Sequence, residues 1–186
     1  PGHRVVDAIK NGVFHRQTAV EDVAISGACF DCGGALRFDY DTVDMARVSC
    51  RNCERTVVEF PYDPGGLTDR EGDDLAQAFD RRTRLFWARG FADVCPVCSG
   101  RVDADFVADL PAAVPAVKDH PVVVGFECTQ CSFYSHVPAG AALLTHPAVL
   151  GFCFDRGLDV RASRMWDLPF VVDPDHVEIR ERDPWS

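Results

Sequence analysis

Eight of the nine cysteines stand in four pairs of identical C-x-x-C spacing, and only Cys153 stands alone. A single C-x-x-C pair serves zinc ribbons, redox sites and iron–sulfur proteins alike. Two successive pairs have the spacing of a tetrahedral four-thiolate zinc site. The sequence therefore predicts two structural Zn²⁺ ions, one held by each successive set of four thiols: Cys29, Cys32, Cys50 and Cys53, and then Cys95, Cys98, Cys128 and Cys131.

The other uses of paired cysteines fit this chain less well. A disulfide framework requires an oxidising compartment, and no charged-then-apolar signal segment opens the sequence. Redox pairs usually begin a helix, whereas Gly33-Gly34 and Ser99-Gly100 break a helix directly after the second cysteine. Iron and a metal-free oxidised form stay open as alternatives to zinc.

The residues around the cysteine pairs also repeat. CFDCGGALRFDY and CPVCSGRVDADF both continue into alternating apolar and polar residues, and RVSCRNCERTVVEFP and VGFECTQCSFYSHVP both run through β-rich segments to a proline. Such alternation predicts short antiparallel strands. We expect ribbon 1 over about Ile25–Phe60 and ribbon 2 over about Val94–Val137, with the C-x-x-C turns at the hairpin tips.

A helix is predicted after each ribbon. Residues Asp73–Ala88 place Leu75, Phe79, Thr83 and Phe86 on one face, with Gly90 as a stop. Residues Pro147–Arg156 begin with a proline in the first turn and bury Cys153 and Phe154. The connectors FPYDPGGL and VPAGAALL look equivalent, so we expect the whole unit to be duplicated.

The predicted fold class is thus α+β: two tandem four-cysteine zinc ribbons of small antiparallel sheets, each followed by an α-helix. Four segments follow from this interpretation: 1–20 as a helix or linker, 21–91 as the first ribbon and helix, 92–157 as the second, and 158–186 as a C-terminal segment. In that last segment FVVDPDHVEIRER predicts a β-hairpin turning at Asp173-Pro174-Asp175.

The charge is strongly acidic, with 29 Asp and Glu against 19 Lys and Arg and a formal net charge of −10. Only two of the cations are lysines, Lys10 and Lys118. An Asp-rich, Lys-poor surface suits multimolar salt, in which charge repulsion is screened within about 3 Å, so we expect a halophilic organism. In that setting acidity does not exclude nucleic-acid binding. No run of about 18 apolar residues predicts a membrane span, and we expect a cytoplasmic protein without membrane contact.

These motifs carry a resemblance. The order of a C-x-D-C-G-G ribbon, a helix with AFDRR, a C-P-x-C ribbon, HPAVLGFCFDRG and a closing ERDPW resembles the C-terminal zinc-ribbon region of haloarchaeal ArsR-like winged-helix transcriptional regulators. The likeness covers essentially the whole chain. It implies that GHRVVDAIKNGVF corresponds to the last helix of a winged-helix domain, or to the link from it, and that the DNA-reading domain lies outside this sequence.

A few residues outside the cysteine pairs are candidates for contacts. Arg81, Arg82 and Arg84, beside Trp87, form a basic cluster that could clamp an anionic ligand or nucleic acid, or simply form a solvated helix face. His136 is expected to lie at the surface or beside the metal ligands. Cys153 is expected to be a small buried hydrophobe.

The sequence predicts a non-enzymatic function, because four cysteines saturate a zinc ion and leave no position for substrate water. We expect a zinc-binding module of a transcriptional regulator that serves assembly or effector sensing. Its expected partners are DNA, through the missing winged-helix domain, and a protein partner or second copy. Direct nucleic-acid binding by the ribbons, through Arg51, Arg55 and the arginine helix, is the alternative. An enzyme using a cleft between the repeats is the weakest hypothesis.

Overall fold

A computed structural model of the protein describes residues 19–108 and 117–181. The chain divides into two compact units, Pro1–Arg81 and Arg82–Ser186. The described residues form antiparallel sheets and helices, which confirms the α+β class. The expected N-terminal helix or linker falls almost wholly on residues 1–18, which lie outside the described residues.

The first unit contains a four-stranded antiparallel sheet in the order β1-β2-β3-β4. Its strands are β1 (Val20–Ala28), β2 (Ala35–Tyr40), β3 (Met45–Cys50) and β4 (Thr56–Pro61). Strand β2 alternates strictly, since Leu36, Phe38 and Tyr40 are buried while the residues between them are partly exposed. A period of two places these apolar side chains on one face, which becomes the core face of the sheet.

A long helix, α1 (Gly72–Phe91), follows a 3-10 turn at Pro64–Leu67. Its N-terminal half buries Leu75, Ala76 and Phe79. The ring of Phe79 lies edge-on to Phe38 and Tyr62, with ring centroids 5.6 and 5.5 Å apart. Edge-to-face aromatic pairs add to the hydrophobic gain of burial, so this cluster anchors the helix on the core face of the first sheet.

The second unit contains a three-stranded antiparallel sheet in the order β5-β6-β7. Its strands are β5 (Val102–Val107), β6 (Val123–Cys128) and β7 (Tyr134–Pro138), preceded by an isolated bridge between Val94 and Arg101. A 3-10 helix at Ala139–Thr145 leads to α2 (Pro147–Phe154). Both sheets therefore carry strands, a 3-10 turn and a helix in the same order, as the internal repeat predicts.

The C-terminal hairpin prediction is wrong. The segment forms the short helix α3 (Pro169–Val172) and a 3-10 turn at Pro174–His176. Proline stands in the first turn of each element, where its fixed φ suits a helical start, and neither proline can donate to a strand ladder. The side chain of Asp173 also accepts a hydrogen bond from the Asp175 N–H, which closes the turn locally.

Two details of the predicted helices are also corrected. Helix α1 continues through Gly90 to Phe91. Gly90 is a position of close packing rather than a stop, because a Cβ there would lie 3.1 Å from the ring of Phe126. Phe154, expected to be buried, is 71% exposed. Helix α2 is apolar all round, so its pattern does not indicate which face turns inward, and of its residues Cys153 is buried.

None of the helices in the described part of the chain has the length and apolarity that a membrane crossing needs.

Candidate metal centres

The first cluster joins the tips of two hairpins. Cys29 and Cys32 flank the turn between β1 and β2, and Cys50 and Cys53 flank the turn between β3 and β4. The Sγ atoms of Cys29 and Cys53 lie 3.8 Å apart, and those of Cys32 and Cys50 lie 3.5 Å apart. The structure thus groups the first four thiols as the spacing predicts.

The turn at Cys29 is held by its own backbone. The Cys29 N–H donates to the Gly34 carbonyl at 2.9 Å, and the Gly33 N–H donates back to the Cys29 carbonyl at 2.8 Å. Gly33 has a φ of +70°, which L side chains rarely adopt. Glycine suits position 34 for a different reason, because a Cβ there would lie 2.9 Å from the Cys50 sulfur.

The second cluster repeats this arrangement in the second unit. The Sγ atoms of Cys95 and Cys131 lie 3.8 Å apart, and those of Cys98 and Cys128 lie 3.6 Å apart. The Cys95 N–H donates to the Gly100 carbonyl at 2.8 Å, matching the Cys29 turn. The residue with positive φ here is Ser99 rather than a glycine.

Each cluster is suited in size and chemistry to a tetrahedral ion. All four sulfurs of a cluster lie within 4.8 Å of one another. A Zn–S bond of about 2.3 Å implies sulfur–sulfur separations of about 3.8 Å around a tetrahedron, and the shortest separations in both clusters are close to that value. The donor set is sulfur alone, which is typical of structural zinc sites. These residues therefore fit a Zn²⁺ ion.

Backbone N–H groups of the C-x-x-C turns point at the cysteine sulfurs. The N–H groups of Asn52 and Cys53 lie 3.3 and 3.5 Å from the Cys50 sulfur. In the second cluster the Gln130 N–H lies 3.4 Å from the Cys128 sulfur, and the Gly100 N–H lies 3.3 Å from that of Cys98. Hydrogen bonds to a charged acceptor stabilise the charge.

The thiol pKa values show how negative charge is distributed within a cluster. The Gly34 N–H, the Asn52 amide and two neighbouring thiols lower the pKa of Cys32 to about 6. The Arg55 N–H lowers the pKa of Cys53, but burial and three neighbouring thiols outweigh it and raise that pKa to about 12. Without a cation, the negative charge of one thiolate disfavours the ionisation of the neighbouring thiols. A bound divalent cation would offset this repulsion.

The second cluster shows the same division. The Gln130 N–H lowers the pKa of Cys128 to about 6 despite its burial. The Phe133 N–H favours the Cys131 thiolate, yet burial and the three other thiols raise the pKa of Cys131 to about 12. Each cluster thus holds one thiol with a lowered pKa, but at non-equivalent positions, since the pKa of Cys98, the equivalent of Cys32, is raised.

Arg51 and Arg55, which lie beside Cys50 and Cys53 in the first ribbon, are paired with acids. Arg51 lies 3.0 Å from the Asp22 carboxylate and also donates to the Asp22 carbonyl. Arg55 lies 3.0 Å from the Asp31 carboxylate and over the ring of Phe30. These pairs neutralise the tip of the first ribbon.

The predicted basic cluster on the helix is largely used in packing. Arg84 donates to the carbonyls of Val160 and Ser163 at 2.8 and 2.6 Å. Trp87 is only 4% exposed. The guanidinium of Arg82 lies over the ring of Phe86 at 4.6 Å, and Arg81 is exposed. The four side chains therefore do not present one open face to a ligand.

Sequence reasoning missed one side chain at the metal centres. The amide nitrogen of Asn52 lies 3.6 Å from the Cys32 sulfur and helps to lower the pKa of that thiol. Its position inside the second C-x-x-C pair was the available signal, because a side chain there lies beside the turn that holds the first C-x-x-C pair. The equivalent residue of the second cluster is Gln130, whose side chain packs near Gly100.

Comparison with known proteins places the chain in one family. The family model described as "Domain of unknown function (DUF7351)" matches residues 26–186, so the chain belongs to that family. No curated protein and no solved structure matches the chain.

Proposed function

We propose that this DUF7351 chain is a non-catalytic zinc-binding module in which each four-cysteine cluster holds one structural Zn²⁺ ion. The observation that carries the proposal is the pair of sulfur-only clusters, each with sulfurs within 4.8 Å of one another. Four thiolates complete a tetrahedral coordination shell, whereas catalytic zinc sites keep a position open for water. Thiolate ligation also suits a reducing, cytoplasmic compartment.

The role of the ion would be to join the two C-x-x-C turns of a cluster. When bound, Zn²⁺ neutralises thiolate charge and links the two hairpin tips of a sheet. The chain supplies the rest, because the N–H groups of Asn52, Gly100 and Gln130 orient the sulfurs. Small zinc domains couple metal binding to folding, so each ion would contribute to the stability of its own unit.

We further propose that the module serves assembly or effector sensing in a transcriptional regulator. The resemblance of its motifs to the C-terminal region of ArsR-like winged-helix regulators supports this role. A surface feature supports the assembly part: helix α2 exposes Phe152 by 56% and Phe154 by 71%. Exposed apolar patches occur at protein contact surfaces.

Direct DNA binding by the ribbons receives less support. Arg51 and Arg55 are already paired with Asp22 and Asp31. Phosphate contacts need accessible cations. We therefore assign DNA contact to the winged-helix domain that the resemblance implies.

Two measurements test these proposals. Metal analysis of protein purified without chelators should find about two zinc ions per chain, and finding one or none would contradict the structural-zinc proposal. A duplex DNA titration over a range of salt concentrations should show no binding by the 186-residue chain. Tight binding by this chain, weakening steeply with salt, would instead support nucleic-acid recognition by the ribbons.

A further inference from the structure

The two sheets differ on the face that points away from the core. Strand pairing sets the equivalence: Leu36 pairs with Cys50 in the first sheet, and Val102 pairs with Cys128 in the second. Counting along the paired strands from these positions, Asp103 corresponds to Arg37 and Gly125 corresponds to Arg47. Both arginines of the first outer face are therefore replaced in the second.

In the first sheet these arginines pair with carboxylates of neighbouring residues. Arg37 lies 3.0 Å from the Asp39 carboxylate and 2.6 Å from that of Glu54. Arg47 lies 2.5 Å from the Glu59 carboxylate. A groove of about 570 Å³ on this face contains both arginines.

The second sheet has a similar groove, and the described residues that line it include no arginine or lysine. Its volume is about 520 Å³, and it is lined by Asp103, Asp105 and Glu127, together with Tyr134 and His136. Arg101 pairs with Asp103 at 3.4 Å, at the exposed surface. Tyr134 is 74% exposed. Carboxylates beside an aromatic ring are suited to a guanidinium or ammonium group.

The groove adjoins a sheet edge that is covered in the first unit. There, β1 pairs along the outer side of β2, from Val20 opposite Tyr40 to Ala28 opposite Ala35. Within residues 19–108 and 117–181, β5 pairs with β6 alone. The Val94–Arg101 bridge corresponds only to the last pair of β1 and β2, Ala28 with Ala35. Among the described residues, β5 is thus the edge strand at the position where the first sheet has β1.

The backbone of this edge is oriented to accept another strand. The Val102 N–H donates to the Asp93 carbonyl on the open side. Backbone groups alternate sides along a strand, so the amide of Ala104 points the same way. The β5 register is regular from Val102 to Val107, whereas the edge strand β1 is interrupted by irregularities. Regular edges accept added strands, and bulged edges resist them.

We propose that β5 and the adjoining acidic groove form a docking site for an extended basic segment of a partner protein. The segment adds as an antiparallel strand to β5 and places basic side chains opposite Asp103 and Asp105. This inference rests on the proposed assembly function and names the partner chemistry. A second copy of this chain fits less well, since pairing β5 with β5 brings these aspartates close to their own copies.

The test uses the full zinc-loaded chain and a fluorescent probe peptide, acetyl-Val-Arg-Val-Arg-Val-Arg-amide, at a salt concentration that keeps the protein folded. Fluorescence anisotropy should show saturable binding, and the same peptide with Glu in place of Arg should not bind. The double variant Asp103→Asn and Asp105→Asn should bind about tenfold more weakly. The double variant Asp155→Asn and Glu178→Gln, at two exposed acids outside the groove, is the charge-matched control.

The variant Ala104→Pro separates strand addition from simple charge attraction. Proline removes the outward N–H and blocks the ladder, yet edge strands tolerate it. It should abolish peptide binding while zinc content and melting temperature stay near those of the parent. The proposal would be overturned if no saturable binding is found, or if binding survives Ala104→Pro. It would also be overturned if sedimentation shows a dimer that dissociates in Ala104→Pro. Because zinc content is measured on the same samples, loss of the metal centres is recognised separately.

Discussion

The sulfur of Cys32 lies 3.5 Å from the sulfur of Cys50, although the two residues belong to different hairpin tips. The equivalent pair, Cys98 and Cys128, lies 3.6 Å apart in the second unit. In both units a backbone hydrogen bond runs beside this contact, from the Arg51 N–H to the Ala35 carbonyl and from the Thr129 N–H to the Arg101 carbonyl. Thiols held this close need a cation between them to be ionised together.

We predict that Cys50→Ser lowers zinc content from about two ions to about one per chain. A single missing thiolate leaves the first site with three sulfurs. The loss should destabilise the first unit more than the second. Metal analysis and a thermal melt of the same sample measure both effects. Cys128→Ser should do the same to the second unit.

Cys153→Ala is the matched control for these variants. Cys153 is buried on α2, outside both clusters, and alanine keeps a small apolar side chain there. Its zinc content should equal that of the parent. A fall in zinc content for Cys153→Ala as large as for Cys50→Ser would contradict the assignment of the ligands.

We predict that Gly90→Ala destabilises the protein although alanine favours helices by about 1 kcal/mol over glycine. A Cβ at Gly90 would lie 3.1 Å from the ring of Phe126, which is 2% exposed. The Phe126 ring is also fixed by Phe91, with ring centroids 4.8 Å apart. The ring therefore cannot move aside without disturbing a second aromatic contact, and overpacking of this kind costs about 1–3 kcal/mol.

Gly151→Ala supplies the comparison for that variant. Gly151 is also inside a helix, but a Cβ there meets nothing within 4 Å. We expect it to raise stability by about 0.5–1 kcal/mol. Equal gains for both substitutions in chemical denaturation would show that Phe126 does not require a glycine at position 90.

The sequence was most informative where chemistry imposes spacing. The C-x-x-C steps predicted both clusters because four ligands of one ion must come from two tight turns. The hairpin prediction at Pro174 failed because the same turn residues also start 3-10 turns, and only the packing of Leu168 and Val171 in the core decides between them. Periodicity did not predict the edge strand β1 from Val20, since its register is interrupted by irregularities.

The sequence leaves two roles open for Arg84, a ligand contact or a solvated helix face, and the structure leads to a further test. Its guanidinium donates to two backbone carbonyls, those of Val160 and Ser163. We predict that Arg84→Lys destabilises the second unit by about 1–3 kcal/mol, because an ammonium group cannot match both bonds of the planar guanidinium. Arg81→Lys, at an exposed position on the same helix, should change stability by less than about 0.5 kcal/mol. Denaturant unfolding of both variants measures the difference, and equal small effects would favour a solvated Arg84.

The buried His120 gives a pH-dependent prediction. The side chain is 9% exposed, and Nδ1 has no hydrogen-bond partner among the described residues. Burial lowers the pKa of His120, and the nearby Asp119 and Asp173 only partly offset this effect. The neutral ring is therefore favoured in the folded state, whereas the unfolded chain takes up a proton near pH 6.5. Its contribution to stability is present above about pH 6.5 and is lost as the pH falls through the folded pKa.

We expect the free energy of unfolding to fall between pH 7.5 and pH 5.5 more steeply in the parent than in His120→Gln, with each unit of pKa depression worth about 1.4 kcal/mol. His146→Gln, at an exposed residue, controls for the loss of a histidine, and comparing variants at equal pH removes the shared effect of acid on the cysteine clusters. An NMR titration of the His120 ring should give a pKa below 6.5. A pKa above that value, or parallel pH profiles for parent and His120→Gln, would mean that His120 is charged in the folded protein and that Asp119 and Asp173 outweigh its burial.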